Sequence, residues 1–317
     1  MKTIRVGVVG GGYFGQFHLE KYLKIEGVEW VGVVDIDPSR CRDIAKQYPV
    51  QTFSHHTDLF GKVQSVSIAV PTPFHHAIAK DFFLQGVDVL LEKPIASTLE
   101  EADELIALAE SKSLILQIGH LERFNGALLA AEGMIQHPFL IECQRLAPFL
   151  GRGSDVDVVL DLMVHDIDIV LNIVHSKIKH LDANGLSTLT PYFDVANARI
   201  EFENGCIANL TASRVSKEKR RKTTFVQSNG TLTIDYLTQT ASFSKKVSQS
   251  ENGHLPEMVA EGISVNKTDL LDMEIRSFLQ SVRERKEAKV SGRDGRQVLD
   301  VALRIIRNMK EKHHLEA

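Results

Sequence analysis

Up to Gly119, short apolar runs alternate with stretches of helical periodicity. Runs at 4–9, 30–34, 65–70, 87–91 and 114–118 predict strands. Helices are expected at 14–24, 38–47, 75–85 and 98–111. Pro38 suits a first-turn position whose N–H has no partner in any case. Thr98-Leu-Glu-Glu101 has the form of a capping box. The strands are apolar almost throughout, which predicts a parallel sheet covered by helices on both faces.

Beyond Gly119 the pattern changes. It predicts a helix at 122–136, a strand at 139–146 and a long helix at 157–174. Strands at 196–203 and 206–214 flank Asn204-Gly205, a strong short hairpin signal, and a further β segment runs over 227–236. Residues 247–265 are polar and predict a loop, and helices at 268–285 and 292–312 close the chain. The expectation is an α/β protein with an N-terminal Rossmann domain over 1–120. An α+β domain with a mostly antiparallel open sheet follows over 121–317.

At 317 residues, 43% of them hydrophobic, the chain can bury two sizeable cores. A net charge of −4 supplies no basic field for nucleic acid. Cys41, Cys143 and Cys206 are widely spaced and predict reduced, packed thiols. No run approaches the roughly 18 apolar residues of a membrane span. Residues 4–9 are too short for the apolar part of a secretory signal, so a soluble cytoplasmic protein is expected. His55-His56, His75-His76 and His313-His314 lack the i, i+4 spacing of a helical metal site, and no metal is expected.

Gly10-Gly11-Gly12-Tyr13-Phe14-Gly15 holds G-x-G-x-x-G between a strand and a helix, and Asp35 ends the next strand 20 residues past Gly15. That context marks a dinucleotide site. Gly10 permits the turn, Gly12 lets backbone approach a pyrophosphate, and Gly15 lets the helix pack closely. The helix N-terminus favours phosphate. Asp35 can accept from the ribose hydroxyls and repels a 2′-phosphate, which favours NAD, whereas nearby Arg40 suits NADP.

Two clusters can carry chemistry. Glu92-Lys93-Pro94 follows a strand, where ligands of open α/β sheets bind, although an ordinary surface lysine fits the position as well. In the expected helix 157–174, Asp161, His165, Asp168 and Asn172 form one polar stripe on an otherwise apolar segment. A carboxylate beside an imidazole orients it and raises its pKa, as a general base for an alcohol requires. A structural Asp–His pair in a core helix fits the same pattern.

These residues resemble the glucose–fructose oxidoreductase/inositol dehydrogenase (Gfo/Idh/MocA) family along the whole chain. The resemblance rests on the glycine loop, Asp35, Pro71-Thr72-Pro73 with His75-His76, Glu92-Lys93-Pro94 and Asp161-x-x-x-His165. It implies Lys93, Asp161 and His165 as catalytic residues around nicotinamide and sugar. It also implies cofactor binding by Gly10, Gly12, Tyr13, Phe14, Gly15, Asp35, Pro71, Thr72, His75, Glu92 and Lys93. Gly119-His-Leu-Glu-Arg-Phe-Asn125, Arg145-Leu-Ala-Pro-Phe149 and Arg152-Gly-x-Asp155-Val-Asp-Val-Val-Leu-Asp161 are similar to the branch of bacterial UDP-N-acetylglucosamine 3-dehydrogenases. That branch makes 3-keto nucleotide sugars for an aminotransferase of lipid A biosynthesis. Its sequences usually carry Pro after Arg-Phe-Asn, where this chain has Gly126.

The resemblance implies NAD as cofactor, a nucleotide sugar as substrate, and a homodimer or homotetramer. Either Lys93 or His165 can be the base. His120, Arg123, Asn125, Arg145, Arg152 and His165 are the expected substrate contacts, with Arg214 a further candidate for a diphosphate. Lys217-Glu-Lys-Arg-Arg-Lys222 is the one basic run, either a solvated loop face or a phosphate or membrane-surface contact. Oxidation of inositol, a free sugar or a UDP-sugar acid is the competing activity. A non-catalytic NAD-binding regulator is the competing class.

Overall fold

The computed structural model describes residues 3–149, 151, 156–246 and 258–315. The chain divides into two compact units, Met1–Leu121 with Asp269–Leu299, and Glu122–Thr268 with Asp300–Ala317.

The first unit holds β1 (Ile4–Val9), α1 (Tyr13–Tyr22), β2 (Val28–Val34), α2 (Pro38–Gln47), β3 (Thr52–Phe53), β4 (Ser65–Ile68), α3 (His75–Leu84), β5 (Asp88–Glu92), α4 (Leu99–Ser111) and β6 (Leu116–Gly119). Its strands pair in parallel in the order β3-β2-β1-β4-β5-β6. The order reverses between β1 and β4, which opens a crevice at the carboxyl ends of the strands. Val6, Val8, Val66, Ile68, Val89, Leu90 and Leu91 are fully buried, as strands covered on both faces must be. Each such side chain stabilises the unit by about 1.5–3 kcal/mol.

Local sequence sets the helix starts. Asp37 Oδ1 accepts the Ser39 N–H at 2.8 Å ahead of Pro38. Thr98 Oγ1 accepts the Glu101 N–H at 3.2 Å, while the Glu101 carboxylate reaches the Ser97 N–H at 3.0 Å. The reciprocal half of the expected capping box is thus displaced by one residue.

The second unit holds α5 (Gly126–Ala131), β7 (Leu140–Leu146), α6 (Val164–Val174), β8 (Ile178–Leu186), β9 (Val195–Phe202), β10 (Ile207–Ser213), β11 (Arg220–Gln227), β12 (Gly230–Asp235), β13 (Thr240–Lys246) and β14 (Met258–Ile263). The sheet order is β14-β13-β12-β11-β7-β10-β9-β8. Every pairing is antiparallel except β7 with β10. The hairpin at Asn204-Gly205 forms as expected, with Gly205 at φ +87°.

Several expectations are corrected. The helix at 122–136 is three short pieces, because Asn125 Oδ1 accepts the Ala127 N–H at 3.1 Å and starts a new helix. β8, β11 and β13 are not among the expected strands. The loop expected at 247–265 contains the strand β14, while 247–257 lie outside the described residues. β8 and β14 are edge strands and carry weak alternation.

α7 (Leu270–Glu284) and the start of α8 (Gly292–Leu315) depart from the expected division at 120/121. Ile275, Phe278 and Leu279 share a core with Val6, Val8, Leu19 and Tyr22. Arg285 grips Asp88 through two bonds of 2.7 and 3.1 Å. The Ile118 N–H donates to Val290 O at 3.0 Å, which covers the free edge of β6.

Candidate functional site

The glycine loop is built as its spacing requires. Gly10 has φ +99°, and a Cβ there would fall 2.3 Å from Ala69 O. A Cβ on Gly15 would fall 1.7 Å from Gly10 O, so α1 rests directly on the loop. Gly12 begins α1 without a side-chain cap, and a Cβ there would meet nothing within 4 Å. The positive end of the helix is therefore open to an anion.

The Asp35 carboxylate is buried at the end of β2. It accepts the N–H groups of Gly11 and Asp37, both at 2.8 Å, and Arg40 Nη1 at 2.9 Å. Asp35 holds the Arg40 guanidinium above its ordinary pKa. Both residues line a cavity of about 400 Å³ with Gly10, Gly12, Pro71 and Phe74. That volume suits a cofactor-sized ligand. An adenine dinucleotide fits these groups: helix end and open Gly12 for phosphate, carboxylate for ribose, apolar walls for the base. Ser54, His55 and His56 line the cavity too and were missed. Their signal was position alone, just past the carboxyl end of β3.

Lys93 follows β5 directly and is half-buried. The Lys93–Pro94 bond is cis. Glu92 turns inward, with its Oε1 3.0 Å from Nε2 of the fully buried His18, and Gly119 lies against the same carboxylate. His75 is also buried. Its ring nitrogens lie 2.8 Å from Pro94 O and 2.8 Å from Val70 O, so it ties together the turns after β4 and β5. Burial pushes its pKa below the ordinary imidazole value, against the pull of the two carbonyls. Glu92 and His75, both expected at the cofactor, thus have these partners within the first unit. Tyr13 and Pro71 are exposed, Phe14 and Thr72 half-buried, and His120 is buried just past β6.

In the second unit Asp161 falls in a π-helical turn, Val159–Met163, and His165 in the first turn of α6. Both are half-buried. The π turn inserts an extra residue per turn, a feature common at functional sites. The expected single stripe divides. Arg123 takes Asp168 by two bonds of 2.8 and 2.7 Å and also bonds Asn172. Asp166, outside the stripe, takes Arg145 through bonds of 2.8–3.1 Å.

The described arginines expected at the substrate make ion pairs within this unit. Arg123 and Arg145 are buried, and Arg145 also bonds Glu122 at 3.0 Å. Burial works against its charge, but Asp166 and Glu122 outweigh it and hold Arg145 above its ordinary pKa. Arg214 is buried against Asp194 at 2.8 Å, Val156 O at 2.8 Å and Thr190 Oγ1 at 2.9 Å. Asn125, fully buried, caps α5 and donates to Glu122 at 3.1 Å and Tyr236 O at 3.2 Å. Arg152 lies outside the described residues. Gly126 has its own reason: a Cβ would fall 2.2 Å from Asn266 O, and its N–H reaches Thr268 Oγ1 at 3.1 Å.

Among the described residues no group of three His, Cys, Asp or Glu side chains could hold a metal ion, and no helix is long and apolar enough to cross a membrane. Cys41, Cys143 and Cys206 are buried.

Residues 4–120 match the GFO/IDH/MocA "Oxidoreductase family, NAD-binding Rossmann fold", and 125–233 match the "GFO/IDH/MocA C-terminal domain". The chain is 34% identical over 306 residues to a UDP-N-acetylglucosamine 3-dehydrogenase of Acidithiobacillus ferrooxidans, covering 96% of this chain and 97% of that one. A solved structure of that enzyme superposes with TM-score 0.92 at 33% identity, over 98% of this chain and 99% of the other. A scyllo-inositol dehydrogenase of Lactobacillus casei, solved with NAD(H) and scyllo-inositol, shares the fold at TM-score 0.80 and 22% identity, over 98% of both chains. With both parts matched and the fold shared from end to end, this chain belongs to the GFO/IDH/MocA oxidoreductase family.

Proposed function

We propose that the chain oxidises the 3-hydroxyl of UDP-N-acetylglucosamine to the 3-keto sugar with NAD. The observation that carries the redox reading is the cavity that holds Gly12 and the Asp35 carboxylate together. The choice of sugar is supported by the full-length likeness to the Acidithiobacillus enzyme. NAD is favoured over NADP because Asp35 would face a 2′-phosphate with like charge.

When bound, NAD supplies the hydride acceptor. The chain's own residues handle proton and charge. His165 takes the hydroxyl proton, since an imidazole titrates near neutrality unaided and a lysine does not. Asp161 orients that imidazole and stabilises its cation. Lys93 donates to the sugar oxygen and offsets the charge developing there. The product suits an aminotransferase that makes a 3-amino sugar, as in a lipid A variant. A cytoplasmic homodimer or homotetramer is the form we propose.

The test is NADH formation from NAD with UDP-N-acetylglucosamine, other UDP-sugars, free sugars and inositol, each with a trap for the ketone. Signal with UDP-N-acetylglucosamine alone supports the reading. Signal with inositol or a free sugar instead replaces the substrate. Tight NAD binding without any signal would make the chain a regulator.

A further inference from the structure

Only the first half of the basic run, 217–219, is the solvated loop face that its composition suggests, since residues 220–222 lie in β11. A strand sends alternate side chains to opposite faces. Arg220 bonds Gln144 at 3.0 Å and Glu218 at 2.9 Å, and Lys222 pairs with Asp235 at 3.3 Å. Arg221 takes the other face, in line with Thr223 and Phe225, which are fully buried. Its cross-strand partner on β7 is Arg145.

The two arginines are in different situations. Arg145 spends its guanidinium on Asp166 and Glu122. Arg221 has, among the described residues, one ion pair, with Glu122 Oε1 at 3.7 Å, which is too long for a hydrogen bond. Its side chain is 37% exposed. Burial and Arg145 oppose its charge, while Glu122, Asp166 and Asp161 support it. Asp161 is thus within its electrostatic reach. A half-open guanidinium with its donor fork unfilled is suited to phosphate. Arg123, Arg145 and Arg214, the other described candidates for that role, are engaged in buried ion pairs.

We propose that Arg221 receives a phosphate oxygen of the sugar nucleotide. This assignment rests on the nucleotide-sugar reading given above. It turns one member of the basic run into a substrate-binding residue.

Calorimetric titration of the full chain with UDP, UDP-N-acetylglucosamine and N-acetylglucosamine, in the presence of NAD, tests it. In R221Q, UDP and UDP-N-acetylglucosamine are expected to bind roughly 10- to 100-fold more weakly, with NAD affinity and neutral-sugar binding retained. R221K, which keeps the charge but loses the fork, is expected to fall between, and it decides the matter if R221Q does not fold. A group that only balances Glu122 would lower the melting temperature and leave UDP affinity in the folded protein unchanged. That result overturns the assignment and spares the nucleotide-sugar reading. Absence of UDP binding in the unmodified chain overturns both.

Discussion

The Asp35 carboxylate lies 2.9 Å from the Arg40 guanidinium and 2.8 Å from the Gly11 N–H. One side chain thus pins the glycine loop and masks the cation best placed to meet a 2′-phosphate. Asp35→Ser is expected to weaken NAD by roughly 10-fold or more and to gain NADP affinity, since Arg40 loses its partner. Fluorescence titration with both cofactors checks this. A variant with unchanged NAD-to-NADP preference would remove Asp35 from the selectivity role.

His165→Ala is expected to lower turnover by about 10²- to 10⁴-fold, the usual worth of a positioned general base. NAD affinity should stay near that of the unmodified chain. Steady-state rates with the sugar substrate, alongside cofactor titration, separate the two effects. A variant with normal turnover would leave the base to Lys93.

The Arg145 pair with Asp166 makes a stability prediction. Asp166→Ala leaves a buried guanidinium with only part of its compensation, and should cost about 3–5 kcal/mol. Removing all the charges together, as Arg145→Met, Asp166→Leu and Glu122→Gln, because Glu122 shares the guanidinium at 3.0 Å, should cost less than the single change. Urea denaturation of the three proteins measures it. A loss in the combined variant larger than in the single one would show that an uncompensated guanidinium is not what Asp166→Ala costs.

His75 makes stability depend on pH. Burial lowers its folded-state pKa below 6.5, the ordinary imidazole value. As pH falls through that value the unfolded chain takes up a proton that the folded chain refuses, so stability falls; above it the contribution is flat. Unfolding midpoints between about pH 7.5 and 5 should show this slope, and His75→Asn should flatten it. Equal slopes in the two proteins would count against a neutral buried imidazole.

The features legible in the sequence are those set by neighbours along the chain. Gly10, Gly12 and Gly15 stand at a spacing that one tight turn and one close helix impose, and the structure places each in the geometry the spacing demands. The five longer strands of the first sheet were visible because burial on both faces leaves runs that are apolar almost throughout. β3, with two residues, is too short to show a period.

Partner choice among buried charges was not legible. Arg123, Arg145 and Arg214 have the residue type of phosphate ligands, and composition cannot tell such an arginine from one that neutralises a buried carboxylate. Their partners lie 45, 21 and 20 positions away, and only tertiary packing selects them, α6 for Arg123 and Arg145 and the paired ends of β9 and β10 for Arg214. The π turn at Val159–Met163 likewise depends on what surrounds the helix, so helical spacing alone merged Asp161 and His165 with Asp168 and Asn172. The sequence by itself determined the dinucleotide loop and the alternation that makes a parallel sheet, because steric and periodic constraints are local. The tertiary structure decided which arginine keeps an open guanidinium, because strand register sets Arg221 opposite Arg145 and leaves Arg221 the longer contact with Glu122.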